Sequence, residues 1–218
     1  APDLSSLVTK LKRSRPDVIL HTGYNPDITL FLRQAKEQGL RFKALIGHGA
    51  GYGVPDKLYD ALGSDIDHIF NVDPVSIWLL DPKSLAAGLP EITEMVGTEY
   101  QKAKPEMKVK SASLGQGASN SFVFFDDVLP RAIKKYGGID SEALRKAAMD
   151  TDIATGGTLL GYGVKFPQKG ENDMMGQNKR ASPVVMQYVD RKVFIAWPKA
   201  LQTIDPVLPL PSSSSFSK

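Results

Sequence analysis

The stretch from Asp17 to Gly39, DVILHTGYNPDITLFLRQAKEQG, constrains the fold more than any other part of the chain. It opens with the short apolar run Val18-Ile19-Leu20, which is typical of a buried parallel strand. A helix is predicted to follow, with Asn25 as its N-cap and Pro26 at its first helical position. A glycine stands where the chain is expected to leave the helix. The sequence therefore predicts one strand–loop–helix unit.

The loop of this unit, residues 22–25, is the first candidate binding site. One face of the predicted helix is apolar, because Ile28, Phe31, Leu32 and Ala35 recur at helical spacing. In open α/β sheets, ligands bind beyond the carboxyl ends of the strands. There Tyr24 offers a ring and a hydroxyl beside helix N–H groups, which suit a carboxylate or another polar group. The alternative is that Tyr24 only covers the sheet edge.

Helices and strands alternate along the first third of the chain. A helix over Leu4–Leu11 with Asp3 as a cap is followed by strands at 18–20, 42–46 and 69–72. This order predicts a parallel sheet with right-handed crossovers, an α/β fold with flanking helices. Because a helix precedes the first strand, we expect a further strand of the sheet before residue 1.

The remainder of the chain changes in character. Residues 75–155 are predicted to be mainly helical, with a flexible segment at 111–120 and a long helix over Phe125–Tyr136 that Pro130 should kink. Residues 156–200 have strand character. The segments 183–188 and 193–197 suit a hairpin. The Pro- and Ser-rich tail 209–218 is expected to be frayed.

Composition excludes several functional classes. The formal net charge is +3 and the basic residues are spread along the chain, so no nucleic-acid partner is expected. The absence of cysteine excludes disulfides, thiolate metal sites and cysteine nucleophiles. No apolar stretch approaches the roughly 20 residues that a membrane-spanning helix needs.

A glycine-rich turn, GHGAGYG over Gly47–Gly53, follows the second predicted strand. It lacks the Lys-Ser/Thr pair of a P-loop, which argues against a phosphate cradle. Two other interpretations stay open: a flexible loop, or a bare backbone that a small ligand approaches closely. His48 lies in this turn, at the end of the strand next to Tyr24, and is a candidate hydrogen-bond donor to a ligand.

The sequence offers no positive sign of catalysis. His21, His48 and His68 do not have metal-ligand spacing, so no metal site is expected. His21 and His68 are interpreted as satisfied structural residues. There is no G-x-S-x-G elbow, and Asp126 and Asp127 are helical neighbours that point to different faces. We therefore expect neither an enzyme nor a cofactor.

Several segments in order resemble one known family. PDVILHTGYNPDITLFLRQAKEQGL and then ALIGHGAGYG look like the second lobe of type I periplasmic solute-binding proteins, which serve ABC importers of branched-chain amino acids, amides and related molecules. The helix Phe125–Tyr136, the tract Met175–Asn178 and the closing VFIAWPKAL are similar to later segments of that family. The resemblance extends to Pro198.

The resemblance implies two α/β lobes joined by three crossings, with a small-molecule ligand held between them. On this basis residues 1–73 are the α/β part of the second lobe. Residues 74–196 are the remaining part of an incomplete first lobe, and 197–218 return to the second lobe and form the tail. The implied partners are a membrane permease and a missing N-terminal lobe segment, and the implied location is periplasmic.

The resemblance also implies site residues. Tyr24 matches a family tyrosine that packs on the ligand, and Asn25 is its neighbour. Amino-acid-binding members carry a glutamate, which pairs with the ligand ammonium, where this chain has Gly49 or Ala50. An aromatic or aliphatic carboxylate or an amide is therefore favoured over an α-amino acid, since a buried unpaired ammonium is costly. Gln116 and Ser119 are expected to contribute from the first lobe.

The sequence thus predicts the solute-binding component of an importer. One alternative is a ligand-sensing domain of a receptor or regulator with the same fold, which an attached transmembrane or DNA-binding segment would favour. The other is a flavodoxin-like or hydrolase enzyme, which turnover abolished by His48→Ala would favour.

Overall fold

The structure is a computed structural model, and it describes residues 3–49, 51–106, 112–167 and 176–218. The helices are α1 (Ser5–Ser14), α2 (Asn25–Glu37), α3 (Pro55–Leu62), α4 (Leu89–Ala103), α5 (Ala112–Val123), α6 (Leu129–Tyr136) and α7 (Ser141–Met149). The strands are β1 (Val18–Thr22), β2 (Ala44–His48), β3 (Phe70–Asp73), β4 (Asp152–Ile153), β5 (Val164–Lys165), β6 (Val184–Val189) and β7 (Lys192–Trp197).

The chain divides into two compact units. Unit 1 comprises Ala1–Val75, Glu106–Ser113 and Pro183–Lys218, and unit 2 comprises Ser76–Pro105 and Leu114–Ser182. The fold is mixed α/β, with a central sheet rich in parallel strands and flanked by helices, as the sequence predicts.

Unit 1 is built on a five-stranded sheet in the order β1-β2-β3-β6-β7. β1, β2 and β3 run parallel, whereas β6 is antiparallel to β3 and to β7. The predicted β6–β7 hairpin forms, and its turn residues Asp190 and Arg191 both have positive φ, which suits a tight hairpin turn.

This pairing joins the two C-terminal strands to the sheet of unit 1. The sequence analysis placed residues up to 196 with the first lobe, but β6 and β7 continue the sheet of β1–β3 and belong to unit 1. The reason is physical: β3 and β6 are joined by backbone hydrogen bonds over a separation of more than 100 residues, and no local pattern encodes such a pairing.

The main core of unit 1 lies on one face of the sheet. There Ile19, Leu45 and Tyr188 of the strands, with Ile69 directly before β3, pack against the buried residues of α1, α2 and α3. The apolar stripe predicted for α2 is confirmed, since Ile28, Phe31, Leu32 and Ala35 are all buried. The opposite face holds a smaller cluster, Ala44, Phe70 and Ala196, and leaves Leu20 of β1 78% exposed.

The tail is not frayed, contrary to the expectation from its composition. Phe216 is 1% exposed and stacks on Phe42, with ring centroids 5.2 Å apart. The Phe42 N–H donates to the Phe216 carbonyl at 2.9 Å, and the Leu210 N–H donates to the Lys43 carbonyl at 2.8 Å. Two apolar side chains therefore anchor a segment that is otherwise Pro- and Ser-rich.

Unit 2 holds α4, α6, α7, the small β4–β5 sheet and all of α5 except its first two residues. Residues 112–120, predicted to be flexible, form most of α5; Ser111, the first residue of that predicted segment, lies outside the described residues. Between α5 and α6 the chain makes a π-helical turn over Phe124–Val128, directly before Pro130. The irregularity predicted at this proline therefore takes the form of a widened turn.

Candidate functional site

The carboxyl ends of β1, β2 and β3 lie side by side at one edge of the unit 1 sheet. Thr22 at the end of β1 pairs in register with His48 at the end of β2, and His48 pairs with Val72 of β3. Because neighbouring strands are about 4.8 Å apart, the loops after β1 and β2 start next to one another. The two loops that the sequence analysis singled out are thus brought together.

Tyr24 is an exposed aromatic residue at this edge. It occupies the N-cap position of α2 in an extended conformation, and it is 69% exposed. Its side chain makes no capping hydrogen bond, although the backbone carbonyl of Tyr24 accepts from the Ile28 N–H at 3.0 Å. A solvent-accessible aromatic ring therefore stands beside the N-terminus of a 13-residue helix.

Asn25 is not the N-cap that the sequence predicts. It is the first residue of α2, because the extended backbone conformation falls one residue earlier, at Tyr24. The Oδ1 atom of Asn25 is buried and has no hydrogen-bond partner among the described residues. Its amide therefore does not satisfy the helix N-terminus in the way an N-cap side chain does.

The loop after β2 packs directly onto the loop after β1. A Cβ at Gly51 would lie 2.8 Å from the backbone N of Asn25 and 2.8 Å from the carbonyl carbon of Tyr24, and the Gly51 N–H donates to the Gly23 carbonyl at 3.3 Å. Gly49 has φ +99, a backbone conformation that favours glycine. Ala50, a predicted site residue, lies outside the described residues.

Contacts within the protein account for two of the glycines in this turn. Gly51 permits the close approach of the two loops, and Gly47 lies under the ring of Tyr52, where a Cβ would come within 2.4 Å of the ring. A bare backbone is therefore needed here for packing, whatever the loop binds. His48 is exposed at the end of β2.

A buried layer supports these loops. His21 Nδ1 lies 2.7 Å from the Tyr52 hydroxyl, and the His21 ring stacks on Phe31 at 4.6 Å. Burial lowers the pKa of His21, and the charge of Asp27 opposes this shift. The Tyr188 hydroxyl donates to the Tyr52 carbonyl, and burial raises the pKa of both tyrosines. His21 is thus the satisfied structural residue that the sequence predicts.

His68 differs from that prediction. Its backbone has a φ of +67, and its N–H donates to the Tyr188 carbonyl at 2.7 Å. Its Nδ1 is buried without a hydrogen-bond partner among the described residues. His68 is therefore held by the backbone hydrogen bond from its N–H to Tyr188 of β6, and not by a hydrogen bond at that ring nitrogen.

The sequence analysis missed Asp73, the last residue of β3, as a candidate for this edge. Asp73 is partly buried, and its carboxylate accepts a hydrogen bond from the Asn71 amide at 2.9 Å. Burial raises the pKa of Asp73, and the Asn71 amide and the nearby His48 imidazole oppose that rise. The signal was present in the sequence, because Asp73 stands at the carboxyl end of a third predicted parallel strand.

Gln116 belongs to unit 2 and lies on α5. Together with Ser119 and Asn120 it lines a cavity of about 700 Å³ inside unit 2. The other residues that line this cavity are largely apolar and include Leu144, Leu160 and Phe166. Gln116 and Ser119 thus belong to unit 2, whereas Tyr24, Asn25, His48 and Gly49 belong to unit 1.

The acidic pair on the long helix has a structural role at Asp127. The Asp127 carboxylate forms an ion pair with Arg131 and accepts a hydrogen bond from the Thr151 hydroxyl at 2.8 Å. Across the described residues, no group of three or more His, Cys, Asp or Glu is placed to hold a metal ion. No helix in this part of the chain is long and apolar enough to cross a membrane.

Comparison with known proteins identifies relatives over most of the chain. The family described as "Periplasmic binding protein" matches residues 1–185. Leu/Ile/Val-binding protein homolog 7 of Brucella abortus (strain 2308) is 35% identical over 199 residues, covering 91% of this chain and 45% of the relative. Homolog 8 from the same strain is 34% identical over 199 residues, covering 90% and 44%. The chain thus spans just under half the length of these relatives.

Solved structures share the fold at low sequence identity. A leucine binding protein, LivK, from Thermotoga maritima superposes with a TM-score of 0.62 at 19% identity, over 89% of this chain and 48% of that one. A branched chain amino acid ABC transporter protein from Thermus thermophilus with bound valine gives a TM-score of 0.62 at 14% identity, over 91% and 50%. The relatives are solute-binding proteins and not enzymes. This chain belongs to the periplasmic binding protein family.

Proposed function

We propose that this chain is part of the solute-binding component of an ABC-type importer, which captures a small molecule outside the cytoplasm and presents it to a membrane permease. The observation that carries the proposal is the meeting of the β1 and β2 loops at the carboxyl edge of the sheet. This edge presents the exposed Tyr24 ring, the exposed His48 imidazole and the bare backbone at Gly49. Ligands of open α/β sheets bind at such an edge.

The proposed role of each residue at this edge follows from its chemistry. The Tyr24 ring packs on the solute, while the N-terminus of α2 favours a carboxylate or another electron-rich group. His48 donates a hydrogen bond, and the backbone around Gly49 and Ala50 contacts the solute directly. Asn25, the first residue of α2, borders this site beside Tyr24. The proposed solute is a small polar molecule, a carboxylate or an aromatic molecule.

The same proposal covers the lobes and the location. Unit 1 corresponds to the second lobe of the family, and unit 2 corresponds to the later part of the first lobe. A preceding segment of the protein completes the first lobe, in keeping with the share of the relatives that this chain spans. The family that matches residues 1–185 is described as periplasmic binding protein, and a periplasmic location is proposed on that ground.

The test is solute binding by the full-length protein that carries this sequence. Isothermal titration calorimetry with L-leucine, L-valine, benzoate and 4-methylpentanoate samples amino acid, aromatic carboxylate and aliphatic carboxylate. For any solute that binds, Tyr24→Ala is expected to weaken binding by about tenfold or more, since tenfold is about 1.4 kcal/mol and a packed aromatic ring contributes on that scale.

Two variants serve as controls for this measurement. Tyr24→Phe keeps the ring and separates the packing contribution from that of the hydroxyl. Phe125→Ala removes an aromatic side chain of unit 2 that is similarly exposed, at 65%, and is expected to leave the dissociation constant unchanged. A Tyr24→Ala protein that binds the solute as tightly as the wild type would refute the proposed site.

A further inference from the structure

Asp73 stands at the proposed binding edge without having been assigned to it. It ends β3 directly after Val72, the register partner of His48, and it pairs with Val184 on the other side. Asn71 and Asp73 are two residues apart on one strand, so their side chains share a face of the sheet. The carboxylate therefore lies at the third of three adjacent parallel strand ends, beside the strand end that carries His48.

Asp73 has fewer charged partners than three other carboxylates of unit 1. Asp17 pairs with Lys43 and Lys218, Asp65 pairs with Lys36, and Asp60 pairs with Arg191. Asp73 forms no ion pair with a lysine or arginine among the described residues, and its one hydrogen-bond donor there is the Asn71 amide. An ionised carboxylate has room for about four acceptor contacts, so most of its capacity is unused.

The buried side chain of Asn71 holds the Asp73 carboxylate in position. Asn71 is 0% exposed and donates to Asp73 through Nδ2 at 2.9 Å. A partly buried carboxylate without a lysine or arginine partner lowers the stability of the folded state when its desolvation outweighs its remaining interactions, here with the Asn71 amide and the His48 imidazole. Burial raises the pKa of Asp73 for the same reason. A carboxylate that is held in one orientation at a proposed binding edge, with most of its acceptor capacity unused, is a candidate ligand-binding residue.

We propose that Asp73 receives the protonated amine of the bound solute, so that the site selects molecules carrying a cationic or strongly hydrogen-bond-donating nitrogen. This inference rests on the proposed function. It replaces the expectation, drawn from the glycine at position 49, that the solute lacks an ammonium group. The negatively charged partner of the solute ammonium is then Asp73 at the end of β3, and not a residue of the loop after β2. The N-terminus of α2 remains available to bind the electron-rich end of the solute, such as a carboxylate.

The experiment compares two probes that differ only in the amine. L-leucine and 4-methylpentanoate share the same carbon skeleton and carboxylate, and only L-leucine carries an ammonium group. Calorimetry on the full-length protein is expected to show L-leucine binding at least about tenfold more tightly. Asp73→Asn is expected to weaken L-leucine binding by about tenfold or more and to leave 4-methylpentanoate binding unchanged or improved, which removes the preference.

Asp60→Asn is the matched control, because it makes the same charge change at an exposed carboxylate on α3. It is expected to leave the preference intact. Equal binding of the two probes by the wild-type protein overturns the role of Asp73 while leaving the proposed function standing, and needs no variant to fold. Failure of the wild-type protein to bind L-leucine, L-valine, benzoate and 4-methylpentanoate overturns the proposed function itself.

Discussion

Gly47 shows how a single residue without a side chain holds the candidate site in shape. The ring of Tyr52 lies over its Cα, Tyr52 is fully buried, and the Tyr52 hydroxyl is engaged by His21. The ring therefore has little room to move aside. Sequence reasoning noticed the glycines of this turn but could not assign them to packing, because the partner ring follows five residues later in a loop of unpredictable path.

We expect Gly47→Ala to lower the free energy of unfolding by about 2–3 kcal/mol, because the added methyl group collides with a ring that cannot relax. Urea denaturation followed by circular dichroism measures the change. Gly117→Ala is the matched control, since nothing lies within 4 Å of its Cβ position on α5, and it is expected to be neutral or stabilising. Equal stability of the Gly47→Ala protein and the wild type would contradict the contact.

His21 gives the stability a defined pH dependence. Burial holds the pKa of His21 in the folded protein below its ordinary value of 6.5, so there is a pH range in which the unfolded chain binds a proton that the folded chain does not. The contribution of neutral His21 is therefore complete above about pH 7 and is lost as the pH falls through 6.5 toward the lower folded value. We expect the free energy of unfolding to decrease over this interval.

The measurement is urea denaturation at pH 7, 6 and 5 for the wild type and for His21→Phe, which retains stacking on Phe31. The variant is expected to be less stable at pH 7, because the Tyr52 hydroxyl loses its partner, and to show a flatter profile. Parallel profiles for the two proteins would show that His21 does not titrate as its burial indicates.

At the scale of elements, local patterns predicted α2 well and the tail poorly. The face of α2 follows from residue spacing alone, whereas its N-cap fell one residue early because Pro26 is accommodated at the second helical position as well as at the first. The tail is mostly Pro and Ser, so its average composition conceals the two residues, Leu210 and Phe216, that enter the core. Asp73 directly follows the strand predicted at 69–72, and the strand pattern by itself does not indicate a binding role for its carboxylate.

Phe216→Ala is expected to lower the free energy of unfolding by about 3–5 kcal/mol, the usual cost of removing a buried phenylalanine side chain. Chemical denaturation measures it, with Ser213→Ala on the exposed part of the same segment as a control expected to change little. A similar stability for both variants would mean that the tail does not contribute to the core.

At the scale of the whole molecule, the two faces of the unit 1 sheet differ. One face is covered by α1, α2 and α3, and the other leaves Leu20 78% and Val18 50% exposed on β1, an edge strand of the described sheet. An exposed apolar edge strand favours association. Sequence periodicity identified Val18-Ile19-Leu20 as a strand but assumed burial on both faces, and which face is covered depends on distant segments.

We expect Leu20→Lys to reduce concentration-dependent self-association of the 218-residue chain, measured by analytical ultracentrifugation. Leu201→Lys, at a residue 39% exposed and outside the strands, is the control expected to leave association unchanged. Identical sedimentation of the Leu20→Lys protein and the wild type across concentrations would contradict a role for this face.

The bare backbone of Gly51 lies against the backbone of Tyr24 and Asn25, so the two loops at the sheet edge share one rigid joint. If a solute binds on the Tyr24 ring as proposed, the second loop is already in place, and little conformational entropy is lost in bringing the two loops together. The effects of substitutions in the two loops on solute binding should therefore not be additive. A side chain introduced at position 51 is expected to displace the Tyr24 ring, and so to weaken binding much as a substitution of Tyr24 itself does.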